Sequence, residues 1–239
     1  MKGRQWATGL LVLAALSLPA QARAQEKGDV GFELGARVGY GVPLGKFNED
    51  GADLSELIAG QFPLWLDLGI RADRVFVGGY FHYGPGLLGN EIDDECEEFD
   101  EAADGVPGAD AGCHVRSTRL GAQLHYHFGA PKRPDPWLGF GAGYEWTTLT
   151  IWAEAGDEEI TARTSFKGFE YLNLQGGVDF PLGPTTALGP FFTWTLSRFD
   201  SASLSCSGDC GDASNEEQDI DEKATHYWLF FGARFSFFP

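Results

Sequence analysis

The chain has 239 residues and a formal net charge of −18, with 35 Asp+Glu against 17 Lys+Arg. So acidic a chain lacks the basic footprint that binds nucleic-acid phosphate, which excludes nucleic acid as a partner. Beyond the N-terminus no apolar run approaches the roughly 20 residues of a spanning helix, whereas 33 glycines and 14 % aromatics suit a β-protein with a packed interior and an outer belt.

Met1-Lys2-Gly3-Arg4 is a basic start, Trp6 to Leu18 is apolar, and Ala22-Arg23-Ala24 is a small-residue cleavage site. Residues 1–24 read as a secretory signal peptide and 25–239 as one domain. About 13 apolar residues fall short of a membrane anchor. Export permits disulfides. The four cysteines allow three connectivities; Cys96–Cys113 and Cys206–Cys210 are favoured because each pair lies inside one acidic segment. No metal or cofactor is expected, since Cys206-x3-Cys210 does not fit a zinc knuckle and its neighbours are carboxylates.

From Val30 to Tyr40, Phe32, Leu34, Ala36, Val38 and Tyr40 alternate with Glu33, Gly35, Arg37 and Gly39. A period of two is the mark of a strand with one oily face. A polar link carrying Asn48-Glu49-Asp50-Gly51 leads to a second strand, Gly60–Ile70, with Gln61, Trp65 and Asp67 opposite its oily face. Arg71–Arg74 is short enough to make a hairpin with the third, Val75–Gly84. Pro85–His114 is a long acidic link. The fourth strand, Val115–Phe128, sets Leu120, Ala122, Leu124 and Tyr126 against Arg119, Gln123, His125 and His127.

The fifth, Trp137–Ile151, has Gly139, Gly141, Gly143 and Glu145 on its inner face, and the glycines leave room for large side chains of neighbouring strands. Ala153–Arg163 is a polar link. The sixth, Ser165–Phe180, is irregular around Glu170 and places Asn173, Gln175 and Asp179 inward. The seventh, Ala187–Phe199, contains Pro190, where a bulge or frayed pairing is expected. Asp200–Lys223 is the last long link. The eighth, Thr225–Phe238, sets Tyr227, Leu229, Phe231, Ala233, Phe235 and Phe237 against His226, Trp228, Phe230, Gly232, Arg234 and Ser236.

Eight strands joined by strictly alternating long and short links, each with an oily face, predict an all-β, eight-stranded antiparallel up-and-down transmembrane β-barrel. With the termini on the short-turn side, Tyr40, Phe62, Tyr83, Tyr144, Trp146, Trp194 and Tyr227 gather near the loop end. Phe128, Phe180, Phe235 and Phe237 gather near the turn end, so two aromatic belts emerge. A soluble ligand barrel of the lipocalin kind would need a polar outer face, and here the uniform face is the oily one.

The signal with Ala22-Arg23-Ala24, the eight alternating strands and the aromatic-ended last strand resemble the eight-stranded outer-membrane β-barrels of Gram-negative bacteria, of the OmpA-transmembrane-domain, OmpX and OmpW type. The resemblance covers nearly the whole chain from about Val30. It implies a cell outer membrane location, contact with outer-membrane lipid and lipopolysaccharide, and recognition of the outward Phe237 by the barrel-assembly machinery. Phe238-Pro239 beyond it departs from the usual ending.

An eight-stranded barrel is just wide enough for side chains to fill it, and charges inside must pair. The expected lumen network is Glu33, Arg37, Asp67, Arg119, His125, Glu145, Gln175 and Arg234, with Glu33 the partner of Arg234. The role expected is structural or surface-interacting, and the alternative is a narrow channel for small solutes. Some barrels of this kind are lipid A deacylases or acyltransferases, but His125 and His127 share the inward face and Phe128 stands where a serine would be needed. No catalysis is expected. The acidic links read as solvated loops, with a surface ligand or a divalent cation beside lipopolysaccharide phosphates as the sharper reading. Export should leave a chain beginning at Gln25, which the intact mass of the mature protein will show.

Overall fold

The structure, a computed structural model, describes residues 30–46, 53–106, 108–129, 133–156, 158–208, 216–221 and 223–239. The signal peptide, the turn at residues 48–51 and Cys210 lie outside the described residues. Among the described residues there are ten strands: β1 Val30–Gly45, β2 Ile58–Gln61, β3 Leu64–Ala72, β4 Val75–Leu88, β5 Ala109–His127, β6 Asp135–Ala155, β7 Glu158–Pro181, β8 Thr186–Ser207, β9 Glu216–Asp219 and β10 Thr225–Phe237. Eight staves close into an antiparallel ring. Each stave pairs with the next in sequence, and β10 pairs with both β8 and β1.

β2 and β3 form one stave interrupted at Phe62-Pro63. Proline has no N–H to give to the ladder, yet Gly41↔Gln61 and Val38↔Leu64 lie in the same register, so the break shifts nothing. At Pro190 the pairing with β7 is missing between Gly177↔Phe191 and Phe180↔Leu188. The register is the same on both sides, so the ladder frays there without a bulge.

The molecule is apolar outside and polar inside. Leu66, Leu68, Ile70, Leu120, Leu138, Phe140 and Phe192 are exposed, while Arg37, Asp67, Arg119, Glu145 and Arg234 are fully buried. That inversion is the requirement of a barrel in lipid, where the closed ladder satisfies the backbone and the band meets acyl chains. Aromatic contacts mark the loop-side belt. Tyr40 meets Phe62 at 5.4 Å, Tyr144 meets Trp146 at 4.7 Å, and Trp194 stacks on Tyr227 at 5.6 Å.

The loop side departs from expectation. Pro85–His114 is not a loop throughout: β4 runs to Leu88, a helix α2 spans Asn90–Asp104, and β5 begins at Ala109. Glu91 and Asp93 fall in the first turn of α2, where the helix dipole favours negative charge. Ile92, Cys96 and Ala103 turn its less exposed side inward, and the disulfide Cys96–Cys113 ties it to β5. A single helical turn, α1 Leu54–Leu57, precedes β2.

Residues 153–163 are largely a hairpin, since β6 and β7 pair out to Ala155↔Glu158. β8 continues to Ser207 and receives β9 beside Ser201–Leu204. Lys167 and Ser201 donate to the Glu217 carboxylate at 3.0 Å, and these bonds, the Lys167 one foremost, hold it below its usual carboxylate range. This tie is therefore present at neutral pH and fades as acid protonates Glu217.

Removing the Cys96–Cys113 bridge frees α2 from β5. Cross-linking a loop of this length restricts the unfolded segment by about 3 kcal/mol. Reduction, or Cys113→Ser, should open residues 90–104 to protease while the barrel keeps its heat-modifiable gel migration.

Candidate functional site

The lumen is filled in tiers. Nearest the turns, Arg71 lies 2.9 Å from Asp135 and 3.7 Å from Glu33, His127 Nδ1 lies 2.9 Å from the same Asp135, and the Arg71 guanidinium covers the Phe238 ring at 5.2 Å. Phe238, outside the expected ending, thus closes the turn-side rim, and its N–H bonds Thr185.

Above this tier Arg234 donates to Glu33 at 2.7 Å and to Asp179, and lies over Trp137 at 4.7 Å. Strands β1 and β10 place Arg37 directly opposite Arg234. Like charges in register repel, and Asp67 separates them. Its carboxylate takes two bonds from Arg37 at 2.8 Å and faces Arg234 Nε at 3.7 Å. Gln123 donates to Asp67 at 2.8 Å and accepts from Arg37 at 3.2 Å and from Gln175 at 2.9 Å. Gln175 in turn lies 3.1 Å from His125 Nε2. His125 is held between Phe76 and Trp137, 4.8 Å from each ring.

The next tier centres on Arg119. It donates to Glu145 at 2.8 Å, lies 3.5 Å from Glu170, and packs over Trp228 and Phe230 at 5.3 and 5.0 Å. Glu145 also meets His226 at 3.2 Å, and Glu170 receives Tyr80 and Asn173. Side chains at Gly139 and Gly143 would collide with His125 and Tyr80 respectively, so these glycines do make room for large inward groups. At the top Phe199 stacks on His226 at 4.3 Å. Above it lies an apolar cavity of about 90 Å³, lined in part by Leu54, Ile58, Ile92, Val115, Leu149 and Phe166.

All eight residues of the expected network therefore lie in the lumen. Glu33, Arg37, Asp67, His125, Gln175 and Arg234 join through Gln123, while Arg119 and Glu145 stand one tier higher. Sequence reasoning did not place Glu170 or His226 in the network. β7 carries an extra residue at Tyr171–Leu172 relative to both neighbours. This bulge reverses the phase above it, turning Glu170 in and leaving Phe169 and Tyr171 outside. The irregular alternation near Glu170 was its trace in the sequence. His226 needed only the alternation of β10. Among the described residues no three His, Cys, Asp or Glu side chains converge as a metal site. The carboxylates of the first acidic run instead fan around α2.

No protein-family model and no curated protein sequence matches the chain. The chain is similar to several solved structures. A major outer membrane protein from Thermus thermophilus is 13 % identical with a TM-score of 0.47, over 87 % of this chain and 99 % of that one. Neisserial surface protein A is 13 % identical with a TM-score of 0.43, over 86 % and 97 %. OprG from Pseudomonas aeruginosa is 15 % identical with a TM-score of 0.41, over 89 % and 99 %. This chain is an eight-stranded antiparallel β-barrel with an apolar outer face. Its apolar band, closed ladder and short-turn, long-loop asymmetry meet the physical requirements of a barrel in lipid.

Breaking a buried ion pair on one side leaves an uncompensated charge. Arg234→Ala strands Glu33 and Asp179 and should cost about 3–5 kcal/mol in denaturant unfolding of the folded barrel in detergent micelles. Arg234→Lys keeps the charge without the forked donor and should lose less.

Proposed function

We propose that this barrel is closed to solutes and acts as a structural or surface-interacting protein, without catalytic chemistry. The observation that carries the reading is the continuity of the lumen filling. From Arg71 through Arg234, Arg37 and Arg119 to Phe199, successive cross-sections hold buried, paired or stacked side chains. A channel would have to break several charge-assisted bonds at once, and such bonds are the strong ones. The competing reading is a narrow channel for small solutes.

What the protein offers its surroundings is therefore on the loop side. There β5–β8 stand above the aromatic belt and α2 presents Glu91, Asp93, Asp94, Glu95, Glu97 and Glu98, all exposed. Those carboxylates repel lipopolysaccharide phosphates unless a divalent cation bridges them, and they attract a cationic surface ligand. Assembly by the barrel-assembly machinery would read β10, whose outward Phe231 and Phe235 remain exposed. The absence of catalysis is supported by the burial of His125 and His127, away from any acyl chain in the bilayer.

In planar bilayers the protein should show no discrete openings at low voltage, and regular steps would replace this reading with the channel. Lipid A from cells expressing it should keep its mass. Loss or gain of an acyl chain would make it an enzyme.

A further inference from the structure

The lipid-facing band is not uniformly convex. On β7 the outward positions Gly176 and Val178 lie low between taller neighbours. Leu138 and Phe192 flank Gly176 in register, and Pro136 flanks Val178. Pro190 stands opposite Val178 in the register kept on either side of the frayed segment. Phe128, whose N–H bonds Pro136 O at 2.8 Å, closes the turn end. Together they form an apolar groove of about 480 Å³ along β7. Gly176 is itself buried, because Phe192 and Leu138 lean over it where a side chain would stand, so the accessible part of the β7 wall is Val178. Two prolines stiffen its walls and remove ladder donors.

The occupant follows from position. The groove is continuous with the band that meets the bilayer, and it sits at the short-turn end, which faces the periplasm. The leaflet there is phospholipid. The turn joining Phe128 to Pro136 carries Arg133, exposed and without an ion-pair partner among the described residues. A cation at the headgroup level of a strongly acidic protein complements a lipid phosphate. We infer that this groove is a binding site for one periplasmic-leaflet phospholipid, with an acyl chain along β7 over Val178 between Pro136 and Pro190 and its phosphate at Arg133. The site lies outside the barrel wall and does not depend on whether the lumen conducts.

The test is native mass spectrometry of the full-length mature barrel. The protein is equilibrated with mixed micelles of phosphatidylglycerol and phosphatidylethanolamine, with lipid A in a parallel arm, and heat-modifiable migration reports its folding. The wild type should hold a single phospholipid at activation energies that strip all others, with phosphatidylglycerol preferred. Val178→Trp fills the groove from the lipid side and should lose that lipid while staying folded. Arg133→Gln should still retain phosphatidylethanolamine but lose the preference for phosphatidylglycerol several-fold. Equal shedding by wild type and Val178→Trp, preferential retention of lipid A, or an unchanged headgroup preference in Arg133→Gln would each overturn the proposal.

Discussion

The bonding of Asp67 between Arg37 and Arg234 is the constraint on which the interior depends. Closing the ring requires β1 to pair with β10, and that pairing sets two arginines opposite one another in a fully buried space. Without an anion between them the seam would carry uncompensated repulsion at low dielectric. Asp67 comes from the next stave, β3, so the seam and its neighbour must form together. Gln123 and Gln175 extend the same network across β5 and β7 to His125. The lumen ties together staves that do not pair, as a core would: Arg37 of β1 donates to Gln123 of β5, three staves away.

Aromatic rings share this work. Trp65, Trp137, Phe191, Trp228 and Phe230 are buried inward, and the guanidinium groups of Arg37, Arg119 and Arg234 lie over them. Such stacking lets a charge be desolvated against a polarisable face while its donors reach carboxylates. A small barrel filled by long polar chains alone would leave gaps, and the rings close them. Glycines on β6 permit the fit, because Tyr80 and His125 occupy the volume their side chains would take.

The same physics explains where the elements beyond the bilayer escaped detection. An oily face is demanded only where lipid is adjacent. Past the aromatic belt the strands of β5–β8 continue with exposed polar residues such as Glu154, Glu158 and Glu159, so alternation of hydropathy disappears while the hydrogen-bonded ladder goes on. α2 was hidden for a related reason. Its apolar side is narrow, Ile92, Cys96 and Ala103, and its carboxylates look like a solvated loop until the disulfide and the barrel mouth supply something to pack against.

Alternation in the sequence by itself determined the eight staves, the oily band, the inward set and the partnership of Glu33 with Arg234, because side-chain direction along a strand is a local property with a period of two. It marked the extra residue at Tyr171–Leu172, which turned Glu170 into the lumen, only as an irregularity, and carried no information about Gln123 as the junction between tiers. Nor did it reveal the groove beside Val178. Those depend on the register of three adjacent strands and on which side chains meet across the barrel, and only the closed ring decides both.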